Sequence, residues 1–333
     1  MITPAFGLTA TERVLPRLAL DFTTASLDPR ITFTRTTGAS NPATYIDSSG
    51  VITAATNNQP RFDYDPVTLV CKGLLIEESR TNSLLNSDTL STQSVTVTAA
   101  ARTLSFYGTG QVVLSGAHSA TVAGTGAYPT RTTLTFTPSA GTLTLTVTGT
   151  VQYAQLEAGA FATSYIPTTS AALTRNADVA TMTGTNFSNW YNQSEGAFVL
   201  QAARYVGTGG SMTHFSVSDG TNSDAYRLYS SGADGLEYFT GWDNNVTQWD
   251  RFRSSVTSDT PFKLCATYKL NNIAFALNGS VVTTDSVATI PTVDRLLFGQ
   301  TGNGTAGQGR QYIQKLFYYP QSFTGAETTA FSK

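Results

Sequence analysis

Between Pro261 and Val282 the chain reads PFKLCATYKLNNIAFALNGSVV, with apolar residues recurring at every second position. Phe262, Leu264, Ala266 and Tyr268 share one face of an extended segment, while Lys263 and Thr267 alternate with them. Successive side chains of a strand point to opposite faces, so this spacing predicts a half-buried strand. Asn271-Asn272 marks a turn, after which Ile273, Phe275 and Leu277 form a second face of the same kind. Asn278-Gly279 ends that run with the dipeptide that best tolerates positive φ, predicting a third strand from Val281 that folds straight back.

The same alternation recurs along the chain. Short strands are predicted at 18–22, 31–35, 43–47 and 73–82, then at 94–98, 112–114 and 151–157. Residues 132–137 and 142–148 read as a hairpin, with Leu134 and Phe136 facing Leu143, Leu145 and Val147 across the turn Pro138-Ser139-Ala140-Gly141. Further strands are predicted at 196–205, 214–218, 226–229, 236–239, 295–299 and 313–317. No window sustains a helical period, and frequent turn signals separate the strands, as sandwiches require. The length points to roughly two domains. Abundant Thr fits exposed strand positions, where its branched Cβ suits the pleat and its hydroxyl stays wet.

Charge narrows the function classes. A net charge of −2, with 13% charged residues, leaves no basic field to hold nucleic acid. No apolar run approaches the roughly 20 residues of a membrane-spanning helix, so no membrane insertion is expected. The N-terminal MITPAFGLTATERVLPRLALDF lacks a charged region followed by an uninterrupted apolar core, so no secretory signal is expected. Cys71 and Cys265 are expected to be reduced, buried small hydrophobes in different domains.

Several segments resemble known families. Ala266, Thr267 and Tyr268 with Leu277-Asn278-Gly279 resemble the hairpin of laminin-G and concanavalin-A-like sandwiches, and 313–327 resembles their closing strand and helical turn. The order LDF, ITFTR, ATYID, PRFDYDP and GLLIEESRTN from Leu20 to Asn82 resembles a segment of bacteriophage and prophage virion proteins. QLEAGAFATSYIPT, residues 155–168, is similar to a phage motif closing a carbohydrate-binding-module-like sandwich. The implied fold is all-β, with tandem antiparallel β-sandwiches: a carbohydrate-binding-module-like jelly roll followed by a concanavalin-A-like or laminin-G-like jelly roll. Residues 1–90 are expected to be an attachment and packing segment sharing its core with a sandwich at 91–178. The lectin-like domain would occupy 179–333.

Chemistry-bearing residues are few. Trp190, Tyr191, Trp242 and Trp249, with Asp243 and Asn244 beside Trp242, offer flat rings and polar groups for glycan stacking. Packing of the sandwich or of a subunit interface is the competing reading. Asp219, Asn222 and Asp224 could supply calcium oxygens, although ordinary hairpin chemistry explains them and no other cofactor is implied. Only His118 and His214 are present, neither in a nucleophile or metal motif. Glu77, Glu78, Glu195 and Glu237 provide carboxylates for glycoside hydrolysis, but no pairing follows. The expectation is a non-enzymatic phage structural protein, made in the host cytoplasm and carried in the virion. It would be a capsid decoration or short appendage, with capsid or tail proteins and host-surface glycans as partners. A homo-oligomer is expected, with a trimer the natural guess. A tail-fibre adhesin and a polysaccharide depolymerase are the alternatives.

Overall fold

The computed structural model describes residues 15–35, 43–205 and 210–333. The described residues are nearly all β, built from two antiparallel sandwiches, one inserted in the other. The larger sandwich begins with the segment the alternation identified first. Strands Phe262–Lys269 and Ile273–Leu277 pair, and Thr283–Asp285 folds back on the second, with Asn278 and Gly279 at φ 47° and 72°. On its other side Phe262–Lys269 pairs with Glu195–Arg204, which pairs in turn with Gln311–Tyr319. Two N-terminal strands share the far edge of Gln311–Tyr319. Cys71–Ile76 takes its first residues, and Leu18–Asp21 takes Lys315 to Tyr318.

The facing sheet runs in the order 32–34, 179–183, 295–298, 212–218, 225–230, 236–243 and 246–255. Phe198, Leu264, Tyr268, Phe275 and Tyr318 from one sheet pack against Phe215, Tyr226, Phe239, Trp249 and Phe298 from the other. Leu18, Leu20, Phe22, Ile31, Phe33, Leu74 and Ile76 are buried in this same core. The expected core shared by residues 1–90 and 91–178 is therefore corrected for these seven residues, whereas Leu84 and Leu90 do pack in the core of the smaller sandwich. Short period-2 segments specify which face is buried but not which strand lies alongside.

The smaller sandwich is an insertion. Arg80–Asn82 pairs antiparallel with Leu173–Arg175, so the chain leaves and re-enters the larger sandwich through one two-stranded neck. Beyond the neck, a four-stranded sheet ordered 120–123, 111–116, 141–148 and 93–97 faces a three-stranded sheet of 132–136, 102–107 and 152–158. Leu104, Phe106, Val112, Leu114, Leu143, Leu145 and Leu156 fill the space between them. The predicted hairpin of 132–137 with 142–148 is not formed, because Thr132–Phe136 and Gly141–Thr148 lie in opposite sheets. Phe136 and Leu143 meet across the core rather than side by side, and both arrangements produce the same alternation.

Gly241 illustrates how tightly the larger core is filled. It sits opposite Trp249, whose indole occupies the space a Cβ at 241 would take. Overpacking of this kind destabilises by about 1–3 kcal/mol. Gly241→Ala is expected to lower the thermal midpoint, whereas Gly210→Ala, in open space, serves as the control.

Candidate functional site

The structure separates the aromatic candidates into two groups. Trp190 is 2% exposed and packs edge-on against Phe187, Phe198 and Tyr318, donating its indole N–H to the Asn186 carbonyl at 2.8 Å. Tyr191 stacks on Tyr268 and shares a 2.8 Å hydroxyl hydrogen bond with Tyr226. Trp249 is 1% exposed, within the core beside Phe239. Trp190 and Trp249 are corrected from ligand-stacking candidates to core residues, because both indoles are buried, whereas Tyr191 is half-buried and packs against that core. Trp242 lies on the opposite, outward face, partly exposed. Asp243 and Asn244 belong to the adjoining turn, where Asn244 has φ 51° and donates its backbone N–H to Asp224 at 3.0 Å.

The proposed calcium oxygens are used in turns. Asp219 accepts the backbone N–H and hydroxyl of Thr221, at 2.8 and 2.7 Å, while Asn222 accepts the Asn303 N–H at 3.2 Å. No group of three or more His, Cys, Asp or Glu residues converges as a metal site among the described residues.

The outward face of strands 225–230, 236–243 and 246–255 carries a feature that the sequence reading missed. Tyr226, Leu228 and Phe239 point into the core, so Arg227, Tyr229, Tyr238, Thr240 and Trp242 point out. Tyr229, Tyr238 and Phe252 occupy neighbouring register positions, with ring centroids 5.2 and 5.4 Å apart. Phe252 is 51% exposed. Tyr238 donates to Asp234 at 2.8 Å, and this bond first of all pushes its phenol up to about 12. The Arg227 guanidinium lies 4.5 Å from the Tyr229 ring and 4.6 Å from that of Trp242. The available signal was Tyr238-Phe239: adjacent aromatics in a strand place one on each face.

Arg227 also lines a cleft of about 700 Å³ between the two sandwiches, with Arg80 and Phe161 on one side and Tyr205, Ser230 and Gly307 on the other. Beneath it lies a polar cluster assembled from His214, Ser230 and Glu237. Glu237 contacts the His214 Nε2 at 2.7 Å and accepts hydrogen bonds from Ser230 at 2.6 Å and Arg204 at 2.9 Å. Burial alone would raise the Glu237 pKa, but His214 and Arg204 hold it below the usual range. A catalytic triad places its acid and its nucleophile on different ring nitrogens. Here Ser230, at 3.3 Å, and Glu237 share Nε2, while Nδ1 meets Gln311 at 2.8 Å. The arrangement ties three strands together and does not poise Ser230 for attack.

Residues from distant parts of the chain converge on a buried ionic junction where the neck joins the sandwiches. Asp178 pairs with Arg35 at 2.9 Å and with Arg61, and it accepts the Glu77 backbone N–H at 2.9 Å. Glu77 pairs with Arg61 at 2.8 Å and Arg175 at 2.9 Å and accepts the Ser164 hydroxyl at 2.7 Å. All five charged side chains have zero exposure. Burial would raise the Glu77 pKa, yet Arg175 and Arg61 hold its carboxyl far below the ordinary range. Asp63, beside this junction in sequence, accepts the Tyr312 hydroxyl at 2.8 Å and the Ile46 N–H at 2.6 Å.

No protein-family model matches the chain, and no curated protein matches it. Among solved structures, it is similar to the CBM40 of the Ruminococcus gnavus IT-sialidase bound to α2,6-sialyllactose. That match has 15% identity over 43% of this chain and 85% of the other, with a TM-score of 0.37. Botulinum neurotoxin type C, whose cell entry depends on two ganglioside molecules, gives 14% identity over 46% and 39%, with a TM-score of 0.38. A NanB sialidase from Streptococcus pneumoniae gives 10% identity over 45% and 26%, with a TM-score of 0.37.

Proposed function

We propose that this chain is a non-enzymatic phage surface protein whose larger sandwich presents the outward face around Tyr238 to host-surface glycans. The ladder of Tyr229, Tyr238 and Phe252 carries the reading. The half-buried rings of Tyr229 and Tyr238 and the exposed ring of Phe252 offer apolar surface to the C–H faces of sugars, and Asp234 and Asp250 stand beside them for hydroxyl contacts. The virion assignment rests on the resemblance of the segments that build the junction. Their buried charges give them a structural role, leaving recognition to the outward face.

Stacking a sugar buries roughly 50 Å² of apolar surface per ring, about 1.3 kcal/mol at about 25 cal/mol/Å². That energy is close to tenfold in Kd. Tyr238→Ala and Phe252→Ala are each expected to weaken binding of the full chain to host-surface polysaccharide by about that factor, with an unchanged thermal midpoint. Titration calorimetry on both variants checks this, and undiminished affinity in both would remove the ladder from recognition. Copy number per particle, measured by quantitative mass spectrometry against the major capsid protein, distinguishes a head decoration from a tail adhesin. Absence from purified particles would overturn the virion assignment.

A further inference from the structure

Three arginines line the cleft, and two are committed. Arg80 is paired with Glu78 at 2.6 Å and lies over Phe161, while Arg204 is paired with buried Glu237 at 2.9 Å. Arg227 differs. Among the described residues its guanidinium has no carboxylate partner and donates no hydrogen bond, and its buried Nε is without an acceptor. It is held instead by the rings of Tyr229 and Trp242. A guanidinium stacked on aromatic faces keeps its in-plane N–H edge available, and that planar fork matches a carboxylate. Arg227 also borders a second pocket of about 180 Å³ with Asn222, Trp242 and Asn245. An anion bound there would lie within reach of both the cleft and the ladder.

We propose that this face selects a carboxylate-bearing sugar, its carboxylate paired with Arg227 and a neighbouring ring laid on the Tyr229, Tyr238 and Phe252 ladder. The proposal rests on the glycan-binding reading and adds the ligand's charge. A single negative charge is favoured over a phosphate-rich chain by what surrounds the arginine. Asp234 and Asp250 bond to Tyr238 and Thr240 on the same face, so Arg227 shares that face with two carboxylates. A singly charged group matches Arg227, while a dense polyanion would also meet the repulsion of the two aspartates.

The test uses the full-length chain and calorimetric titration with defined probes. These are a tetragalacturonate, its methyl ester, sialyllactose, lactose and a glycerol-phosphate oligomer. The expected result is at least tenfold tighter binding of one acidic sugar than of its uncharged counterpart, weakening as salt rises from 50 to 300 mM, where surface charges are increasingly screened. The tetragalacturonate and sialyllactose arms tell a uronic acid from a nonulosonic acid. Arg227→Met should abolish the preference for acid over ester, and Arg227→Lys, which keeps the charge but not the fork, should restore it only in part. Tyr238→Ala should weaken acid and ester alike. Equal binding of acid and ester, unaffected by Arg227→Met, would overturn the proposal and leave the glycan reading standing. Tighter binding of the phosphate oligomer would also overturn it. No binding of any sugar would remove both. Arg227→Lys guards against loss of fold in the methionine variant, and thermal midpoints of all variants are compared.

Discussion

A chain cut after residue 178 will not retain strands Leu18–Asp21 and Cys71–Ile76 in folded form, although the inserted sandwich will survive. The reason is strand pairing. Leu18–Asp21 loses Lys315 to Tyr318, and Leu74 to Ile76 lose Gln311 to Ile313. Leu18, Leu20, Phe22, Ile31, Phe33, Leu74 and Ile76 would then be stripped of the core that covers them. At about 1.5–3 kcal/mol for each buried apolar side chain, this loss is on the order of 10–20 kcal/mol. It exceeds the roughly 5–15 kcal/mol by which whole domains are stable. Limited proteolysis of the truncated chain should therefore digest the N-terminal segment and leave a resistant core within about 83–170. The reciprocal deletion should be tolerated. Asn82 and Leu173 are register partners, so a short Gly-Ser linker can replace the insertion while the larger sandwich stays folded at reduced stability. A resistant fragment containing residues 18–76 after truncation would refute the shared core. The simple division into an attachment half and a projecting lectin half does not fit this topology, because the first strands of the chain complete the lectin-like sandwich.

Strand positions were legible because the apolar residues recur at every second position, as Phe262, Leu264, Ala266 and Tyr268 and then Ile273, Phe275 and Leu277 do, even though the intervening residues of Ile273–Leu277 are buried as well. Partners were not legible, because a face pattern contains no information on which strand lies alongside. Phe136 and Leu143 show the consequence, since cross-core and side-by-side contact place the same residues inward. Strand Val246–Ser255 escaped notice because Asp250, Arg251 and Arg253 interrupt its apolar pattern, and Arg251 turns to Asp285. Without that strand, no face can be assigned to Trp249 or Phe252 from the sequence. The ionic junction was hidden by distance along the chain: Arg35 and Asp178 lie 143 residues apart. RFDYDP and LLIEE were recognisable as segments, while their meeting with Arg175 and Asp178 required the fold.

Asp178→Ala is expected to destabilise the protein by about 3–5 kcal/mol, the loss typical of a buried ion pair deprived of one partner. The penalty arises from what remains rather than from what is removed. Arg35 and Arg61 have zero exposure and both rely on Asp178, and the Glu77 N–H loses its acceptor as well. Three guanidiniums would then share the single carboxylate of Glu77 in a dry junction. Replacing an entire buried network with apolar residues can be neutral, so the energetic argument concerns the broken network only. Chemical denaturation followed by intrinsic fluorescence measures the loss, and a change below about 1 kcal/mol would show that the junction is open to water. Acid provides an independent check. The Glu77 carboxyl titrates far below its unfolded value, so its contribution is present above the unfolded pKa of about 4.3. That contribution is lost only as the pH falls through the depressed folded value. The wild-type junction should accordingly persist at pH 4, where exposed carboxylates are already taking up protons, whereas Glu77→Gln should be destabilised across the whole range from pH 4 to 8. A Glu77→Gln loss that vanished at neutral pH would mean that the carboxylate is not charged in the folded protein.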